Sequence, residues 1–131
     1  MDIIILGDQK LETLVAITEE EQIRGLMYKV WPPPVMSFPF KRAKVRKFWM
    51  RNTISPLDIV FCRDNKVISI VDGVPLSLNR VGPDEPSDLV IELPKGTAKK
   101  ISITSGSAVD LIFSTDTLAK KYSKLLLESK Y

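Results

Sequence analysis

The sequence predicts a mainly β fold: one compact β-sandwich with a short helix near residues 19–28 and a C-terminal helix near 115–131. Short β-rich runs recur at regular intervals between turn residues, a pattern typical of sandwiches and barrels. A helix-start motif occurs near residue 18, and helical spacing of apolar residues appears only after residue 114. A length of 131 residues suits a single domain spanning 1–131.

The first third of the chain contains the short helix. Residues 2–5 form a first strand or arm, and residues 13–17 form a strand. Thr18-Glu19-Glu20-Glu21 matches a capping box, in which the Thr18 hydroxyl accepts from the Glu21 amide and Glu21 reaches back. The helix that follows ends near Gly25 to Tyr28. Three prolines at 32–34 then require an extended connection.

The middle of the chain contains most of the strands. The clearest element is a hairpin in which residues 57–63 and 66–71 flank the two-residue turn Asp64-Asn65. Gly82, Pro83 and Pro86 mark 79–87 as an exposed loop. The remaining predicted elements are strands at 37–40, 45–50, 88–93 and 108–113, a loop at 52–56 and one helical turn at 96–101.

The C-terminal helix forms an extension at 114–131. Leu118, Tyr122, Leu125 and Leu126 form one apolar stripe, and the other face carries Lys120, Lys121, Lys124 and Lys130. We expect the stripe to pack on the sheet of its own domain. The alternative is that it docks a partner.

Composition excludes several kinds of site. The chain has no histidine and a single cysteine, Cys62. It therefore cannot form a histidine-based triad or dyad, a histidine metal site or an internal disulfide, and we expect no metal site and no cofactor. The sequence has no signal-peptide pattern and no long apolar run, so we expect a cytoplasmic protein without a membrane partner.

Positive charge is concentrated in one segment. Residues 22–57 contain eight basic and no acidic side chains, so with a net charge of +3 the rest of the chain sums to −5. A nucleic-acid surface is one interpretation, using the basic residues Lys41, Arg42, Lys44, Arg46, Lys47 and Arg51 with Phe48 and Trp49 as stacking rings. The other interpretation is a strand in which Phe48, Trp49 and Met50 are buried on both faces and the basic residues form a solvated edge.

Two carboxyl groups lie in the middle of apolar strands. Asp58 shares a strand face with Val60 and Cys62, and Glu92 follows the same alternation beside Val90. Buried carboxylates need polar partners, so one hypothesis is a ligand pocket beside an aromatic wall, lined by Arg24, Trp49, Asn52, Thr53, Asp58 and Glu92. The alternatives are a structural network, carboxylates that point to solvent, or, less favoured, a carboxylate-dependent enzyme.

Three motifs resemble one known family. Arg-Gly-Leu-Met at 24–27, Phe-Trp-Met-Arg-Asn-Thr at 48–53 with Pro-Leu-Asp-Ile at 56–59, and Val-Ile-Glu-Leu at 90–93 are similar to the "domain of unknown function 192" family over about residues 14–113. The resemblance implies a jelly-roll-like fold with a small helix carrying Arg-Gly-Leu-Met. It implies no reaction. The function we expect first is binding of a small molecule or a protein partner by the predicted pocket residues.

Overall fold

The computed structural model describes the backbone of residues 1–130 and the side chains of residues 1–124. It confirms the mainly β fold, with seven strands and three helices in the described residues. In chain order the elements are β1 (Asp2–Leu6), β2 (Gln9–Val15), α1 (Glu19–Arg24), β3 (Met36–Val45), β4 (Leu57–Arg63), β5 (Lys66–Gly73), β6 (Pro86–Pro94), α2 (Thr97–Lys100), β7 (Val109–Ile112) and α3 (Thr115–Lys130).

All seven strands belong to one curled sheet in the order β5-β4-β6-β3-β2-β1-β7. Neighbouring strands are antiparallel except β2 and β3, which run parallel. A parallel pair needs a long crossover, and here the crossover contains α1 and the three prolines.

The two edges of the sheet approach each other. The Val67 amide of β5 donates to the Ser107 carbonyl at 2.9 Å, and the Val109 amide of β7 donates to the Asn65 carbonyl at 2.9 Å. The sheet therefore curls into a half-barrel whose edge groups are partly satisfied by each other, which limits pairing with other chains.

The curl gives the sheet two apolar faces. On the inner face, Ile4 and Leu6 of β1 pack with residues of β4 and β6 such as Val60 and Ile91. On the outer face, Phe38, Ile59 and Phe61 pack with Leu26 and Met50, which come from the connections that cross this face. Adjacent residues of one strand therefore belong to different cores.

The predicted β4–β5 hairpin is confirmed. Its register runs from Leu57 opposite Gly73 to Arg63 opposite Lys66. The turn residues Asp64 and Asn65 have φ values of 52° and 63°, the left-handed conformation that a type I′ turn requires at both positions.

The predicted strand at 45–50 is wrong beyond its first residue. β3 continues from Met36 to Val45, and the residues after it form a connection in which only Phe48 makes a bridge, to Val81. The reason is the lack of a partner strand, because Val45 pairs with Pro86, the first residue of β6. This connection crosses the outer face, and the Met50 amide donates to the Ser77 carbonyl at 2.9 Å.

The capping box of α1 is present as predicted. The Glu21 amide donates to Thr18 Oγ1 at 3.1 Å, and the Thr18 amide donates to Glu21 Oε1 at 3.0 Å. Burial raises the pKa of Glu21, but hydrogen bonds from Lys120 and from the Thr18 and Ile17 amides outweigh it and lower the pKa to about 2. The box therefore holds an ionised carboxylate at the positive end of α1.

The orientation of α3 contradicts the prediction that its apolar stripe packs on the sheet. Leu118 and Tyr122 are 52% and 64% exposed, whereas Lys120 Nζ lies 2.6 Å from Glu21 Oε2 and Lys124 Nζ donates to the Ile17 carbonyl at 2.8 Å. A helix can turn only one face inward, and here the lysine face meets acceptors on the domain. The predicted Leu125, Leu126 and Lys130 positions lie outside the described side chains.

Candidate functional site

A cavity of about 410 Å³ opens on the outer face of the sheet. Its walls come from α1 and the residues just after it, from β3, and from the connection between β3 and β4. Volumes of this size are typical of sites for small molecules. We call this space the outer cavity.

Glu92 forms the floor of the outer cavity. It lies near the end of β6, between Met36 of β3 and Ile59 of β4, and its residue is only 4% exposed. Its carboxyl group makes no hydrogen bond or ion pair with any residue that the structure describes. Burial raises the pKa of Glu92 to about 8, so the group is mostly protonated at neutral pH and can both donate and accept a hydrogen bond.

Gly25 lets the end of α1 lie close above this floor. Its backbone has φ 48° and ψ −128°, a conformation that residues with a Cβ atom rarely adopt. A Cβ at this position would lie 3.4 Å from Glu92 Oε1 and 3.4 Å from Phe38 Cζ. Glycine therefore keeps open the space beside the carboxyl group.

Aromatic rings form one wall of the outer cavity. The Phe48 ring meets Phe38 edge-on at a centroid distance of 5.1 Å and meets Phe61 edge-on at 5.8 Å. Phe40 also lines the cavity, and the Arg46 guanidinium lies 3.5 Å above its ring centroid. These interlocked rings give the cavity a rigid apolar side.

Basic side chains surround the mouth. Two exposed guanidinium groups lie on Trp49, with the Arg80 carbon 4.3 Å and the Arg51 carbon 5.5 Å from the ring centroid. Cation–π contacts of this kind hold a guanidinium in place and leave its N–H groups available. Five basic side chains line the cavity, against the two carboxyl groups of Glu19 and Glu92; they are Arg24, Arg46, Lys47, Arg51 and Arg80.

Two of the five basic groups, Arg46 and Lys47, have hydrogen-bond partners within the domain, and a third, Arg24, forms an exposed ion pair with Glu20 at 3.6 Å. Arg46 donates to the Ser87 carbonyl at 3.1 Å and to the Arg42 carbonyl at 2.8 Å, and its burial lowers its pKa, an effect that Asp88 partly offsets. Lys47 Nζ lies 3.0 Å from Asp84 Oδ1. These contacts leave Arg24, Arg51 and Arg80 as the basic groups best placed to meet a ligand.

The structure brings four of the six predicted pocket residues to this cavity. Arg24, Trp49, Thr53 and Glu92 line it, although Thr53 is buried and donates its hydroxyl to the Arg51 carbonyl at 3.1 Å. Asn52 is not among the lining residues. It adopts the left-handed conformation, with φ 55°, and its carbonyl accepts from the Tyr28 amide at 2.9 Å, which makes it a turn residue.

Asp58 lies on the opposite face of the sheet, so its predicted place in the pocket is wrong. The register pairs Ile59, not Asp58, with Glu92, and neighbouring residues of a strand point to opposite faces. The Asp58 carboxylate accepts from the Gly96 and Ala98 amides, both at 3.0 Å, and lies 3.8 Å from Lys95 Nζ. It therefore holds the start of α2 in place.

This separation also excludes Asp58 and Glu92 as the two carboxyl groups of one catalytic site. A two-carboxylate mechanism needs both carboxyl groups beside one substrate. Asp58 and Glu92 have the sheet between them, so they cannot flank a common bond.

The basic residues between Lys41 and Arg51 lie in different environments. Lys41, Arg42 and Lys44 are exposed near the end of β3, where the register with β6 is irregular. Arg46 and Lys47 are partly buried, and Arg51 lies at the outer cavity. Phe48 and Trp49 are also partly buried. The Phe48 ring packs against the rings of Phe38 and Phe61, which leaves it poorly placed to stack on a base.

Sequence reasoning missed Arg80 and the ring of Phe40. Arg80 lies in the segment read as an exposed loop, and only the bridge between Phe48 and Val81 brings it beside Trp49. No signal in the sequence marks that bridge. Phe40 lies in the predicted strand at 37–40, but its position beside the cavity depends on the path of β3.

In residues 1–130 no helix is long and apolar enough to cross a membrane. The described side chains include no group of three or more acidic, cysteine or histidine residues arranged to hold a metal ion.

Comparison with known proteins extends the similarity over most of the chain. The model of the DUF192 family, described as "Uncharacterized ACR", matches residues 3–111. No curated protein matches the chain.

Two solved structures are similar in fold and sequence. A protein of unknown function from Novosphingobium aromaticivorans has 28% identity and a TM-score of 0.76, covering 82% of this chain and 83% of its own. A Sinorhizobium meliloti protein described as "a putative transcription regulator" has 28% identity and a TM-score of 0.75, covering 84% of this chain and 91% of its own.

Proposed function

The chain belongs to the DUF192 family, and we propose that it is a binding domain whose small-molecule ligand occupies the outer cavity above Glu92. The observation that carries the proposal is Glu92 itself. It is a buried carboxyl group that faces a cavity and has no partner among the described residues.

The Glu92 carboxyl group has no protein partner and opens into the outer cavity. Among the described residues the only fully enclosed side-chain oxygen or nitrogen without a hydrogen bond is Ser87 Oγ, so the Glu92 oxygens are within reach of a group that enters the cavity. Buried polar groups are nearly always hydrogen-bonded. The positions around Glu92 are filled by apolar residues such as Ile59 and Val90, so an apolar residue would suit this place in β6 better for stability alone. A ligand that hydrogen-bonds to Glu92 supplies the missing partner.

The remaining walls support the same proposal. The aromatic side offers apolar contact area, and the glycine at the end of α1 keeps the floor accessible. A small-molecule site is usually a mostly apolar concave surface with a small number of precisely placed polar groups.

A thermal-shift screen of a metabolite library tests this proposal. A ligand that binds the native state raises the melting temperature by mass action. We expect hits that stabilise the wild type, keep most of their effect in Glu92→Gln, which can still donate and accept, and lose it in Glu92→Leu. Glu12→Gln is the matched control, because Glu12 is exposed on β2.

Either of two results would contradict the proposal. Hits that stabilise Glu92→Leu as much as the wild type would place binding elsewhere. A broad library without any hit that depends on Glu92 would leave the carboxyl group as a feature of the fold alone.

A second candidate function is nucleic-acid association through the exposed basic residues at the end of β3. Lys41, Arg42 and Lys44 are exposed together, and a similar structure is described as "a putative transcription regulator". Binding through phosphates would weaken steeply as salt rises. Fluorescence anisotropy with labelled single- and double-stranded DNA at low salt tests it.

For this candidate we expect the triple variant Lys41→Glu/Arg42→Glu/Lys44→Glu to lose binding. The control is Lys99→Glu/Lys100→Glu, which reverses exposed charges on α2. Equal binding by both variants, or no binding at low salt, would end this candidate.

A further inference from the structure

We infer that the ligand of the outer cavity is a small organic anion: an oxyanion at the basic mouth, an apolar body along the aromatic wall, and a neutral hydrogen-bonding group at Glu92. This inference rests on the proposed binding function and adds the chemical class of the ligand.

The first argument is the charge of the mouth. Five basic side chains line the cavity against two carboxyl groups, and one of those two, Glu92, lies on the buried floor. A concave site lined by one sign of charge attracts ligands of the other sign and repels ligands of the same sign. The mouth therefore favours anions over cations.

The second argument is the availability of the guanidinium groups. The guanidinium groups of Arg51 and Arg80 make no ion pair or hydrogen bond with the described residues, and both lie on Trp49. Arg24 has one carboxylate partner, Glu20 at 3.6 Å, in an exposed pair of the kind that contributes little. Guanidinium groups held in this way present parallel N–H donors that match a carboxylate or phosphate.

The third argument is the protonation state of Glu92 at the floor of the outer cavity. Burial raises the pKa of Glu92 to about 8, so at neutral pH the group is a neutral donor and acceptor. It suits a carbonyl or hydroxyl group of the ligand. A cationic group would also suit an ionised Glu92, but it would have to enter past the basic mouth.

Three compounds with one skeleton and different charge separate these alternatives. They are 4-hydroxyphenylacetate, 4-hydroxyphenylacetamide and tyramine, which carry the same ring and hydroxyl with a negative, neutral or positive group. Titration of the ¹⁵N-labelled protein at about pH 7 and low salt gives a dissociation constant for each from the shifts of Gly25, Arg80 and the Trp49 indole. We expect the anion to bind roughly tenfold more tightly than the amide, and tyramine to bind most weakly.

Neutralising the mouth should remove this preference. In Arg51→Gln/Arg80→Gln we expect the anion and the amide to bind with nearly equal affinity, while Lys99→Gln on α2 keeps the wild-type ratio. Raising the salt concentration should reduce the anion preference in the wild type, because the mouth is exposed. The spectra of the variants show at the same time that they remain folded, since both arginines are at the surface.

The possible failures are distinguishable. Equal or tighter binding by the amide or tyramine, or an anion preference that survives Arg51→Gln/Arg80→Gln, would overturn the ligand class while leaving binding in the cavity intact. If all three compounds leave the cavity signals unchanged at millimolar concentration, the inference also fails. The proposed function is then judged separately, by whether the library hits depend on Glu92.

Discussion

Asp58 and Glu92 lie in neighbouring strands, and both are buried, with 6% and 4% of the residue exposed. On the inner face, Asp58 accepts two backbone N–H groups and lies near a lysine. On the outer face, Glu92 meets apolar residues and a cavity. The difference shows that burial alone does not distinguish a structural carboxylate from a candidate binding group; the partners do.

The largest expected effect is the loss of stability when Asp58, the carboxylate with hydrogen-bond partners, is replaced. Asp58→Ala leaves the Gly96 and Ala98 amides without their acceptor, so we expect it to lower the free energy of unfolding by about 3 kcal/mol. Glu92→Gln breaks no hydrogen bond of the described protein and should change this free energy by less than about 1 kcal/mol near pH 6. Urea unfolding of the two variants beside the wild type measures both changes. Equal losses would mean that the two carboxyl groups have similar roles.

The pH dependence of stability sharpens the comparison. Glu92 has a pKa of about 8 in the folded protein against an ordinary value of 4.5, so between these values the folded state holds a proton that the unfolded state lacks. Unfolding then releases a proton, and stability falls as pH rises, by up to about 1.4 kcal/mol per pH unit. From about pH 6 to about pH 7.5 we expect the wild type to lose about 2 kcal/mol relative to Glu92→Gln, measured by urea unfolding. Parallel curves for the two proteins would place the pKa of Glu92 near its ordinary value.

The accessibility of Glu92 depends on Gly25. Gly25→Ala puts a methyl group beside Glu92 Oε1 in a strained backbone conformation, so we expect a loss of roughly 1–2 kcal/mol in stability and a loss of ligand binding. Gly106→Ala is the control, since Gly106 also has a positive φ, 93°, but has open space around it. Thermal unfolding and the titration described above measure both effects. If Gly25→Ala binds ligands as well as Gly106→Ala does, Gly25 does not control access to the floor.

The error on Asp58 shows what the sequence could not predict. Alternation along β4 and β6 correctly indicates that both carboxyl groups enter apolar surroundings. Whether they share a face depends on how the two strands align, and a shift of one residue exchanges the faces. The register pairs Ile59 with Glu92, and no local motif encodes that choice.

Long-range pairings also explain the other differences. Arg80 joins the cavity through the bridge between Phe48 and Val81, 33 residues apart in the chain. The exposure of Leu118 and Tyr122 depends on which face of α3 meets α1. By contrast, the turn at Asp64-Asn65 and the cap at Thr18 were predicted correctly, because each depends on residues within a few positions.

The smallest expected effect tests one of these local features. Thr18→Ala removes the acceptor for the Glu21 amide, and loss of such a cap lowers stability by about 1 kcal/mol. Thr18→Ser keeps the hydroxyl and should lose much less, which thermal unfolding can measure. Because α1 carries Arg24 and Gly25 at its other end, fraying of its first turn should weaken ligand binding less than Gly25→Ala does. A binding loss as large as that of Gly25→Ala would mean that the whole of α1, and not only its glycine end, sets the shape of the outer cavity.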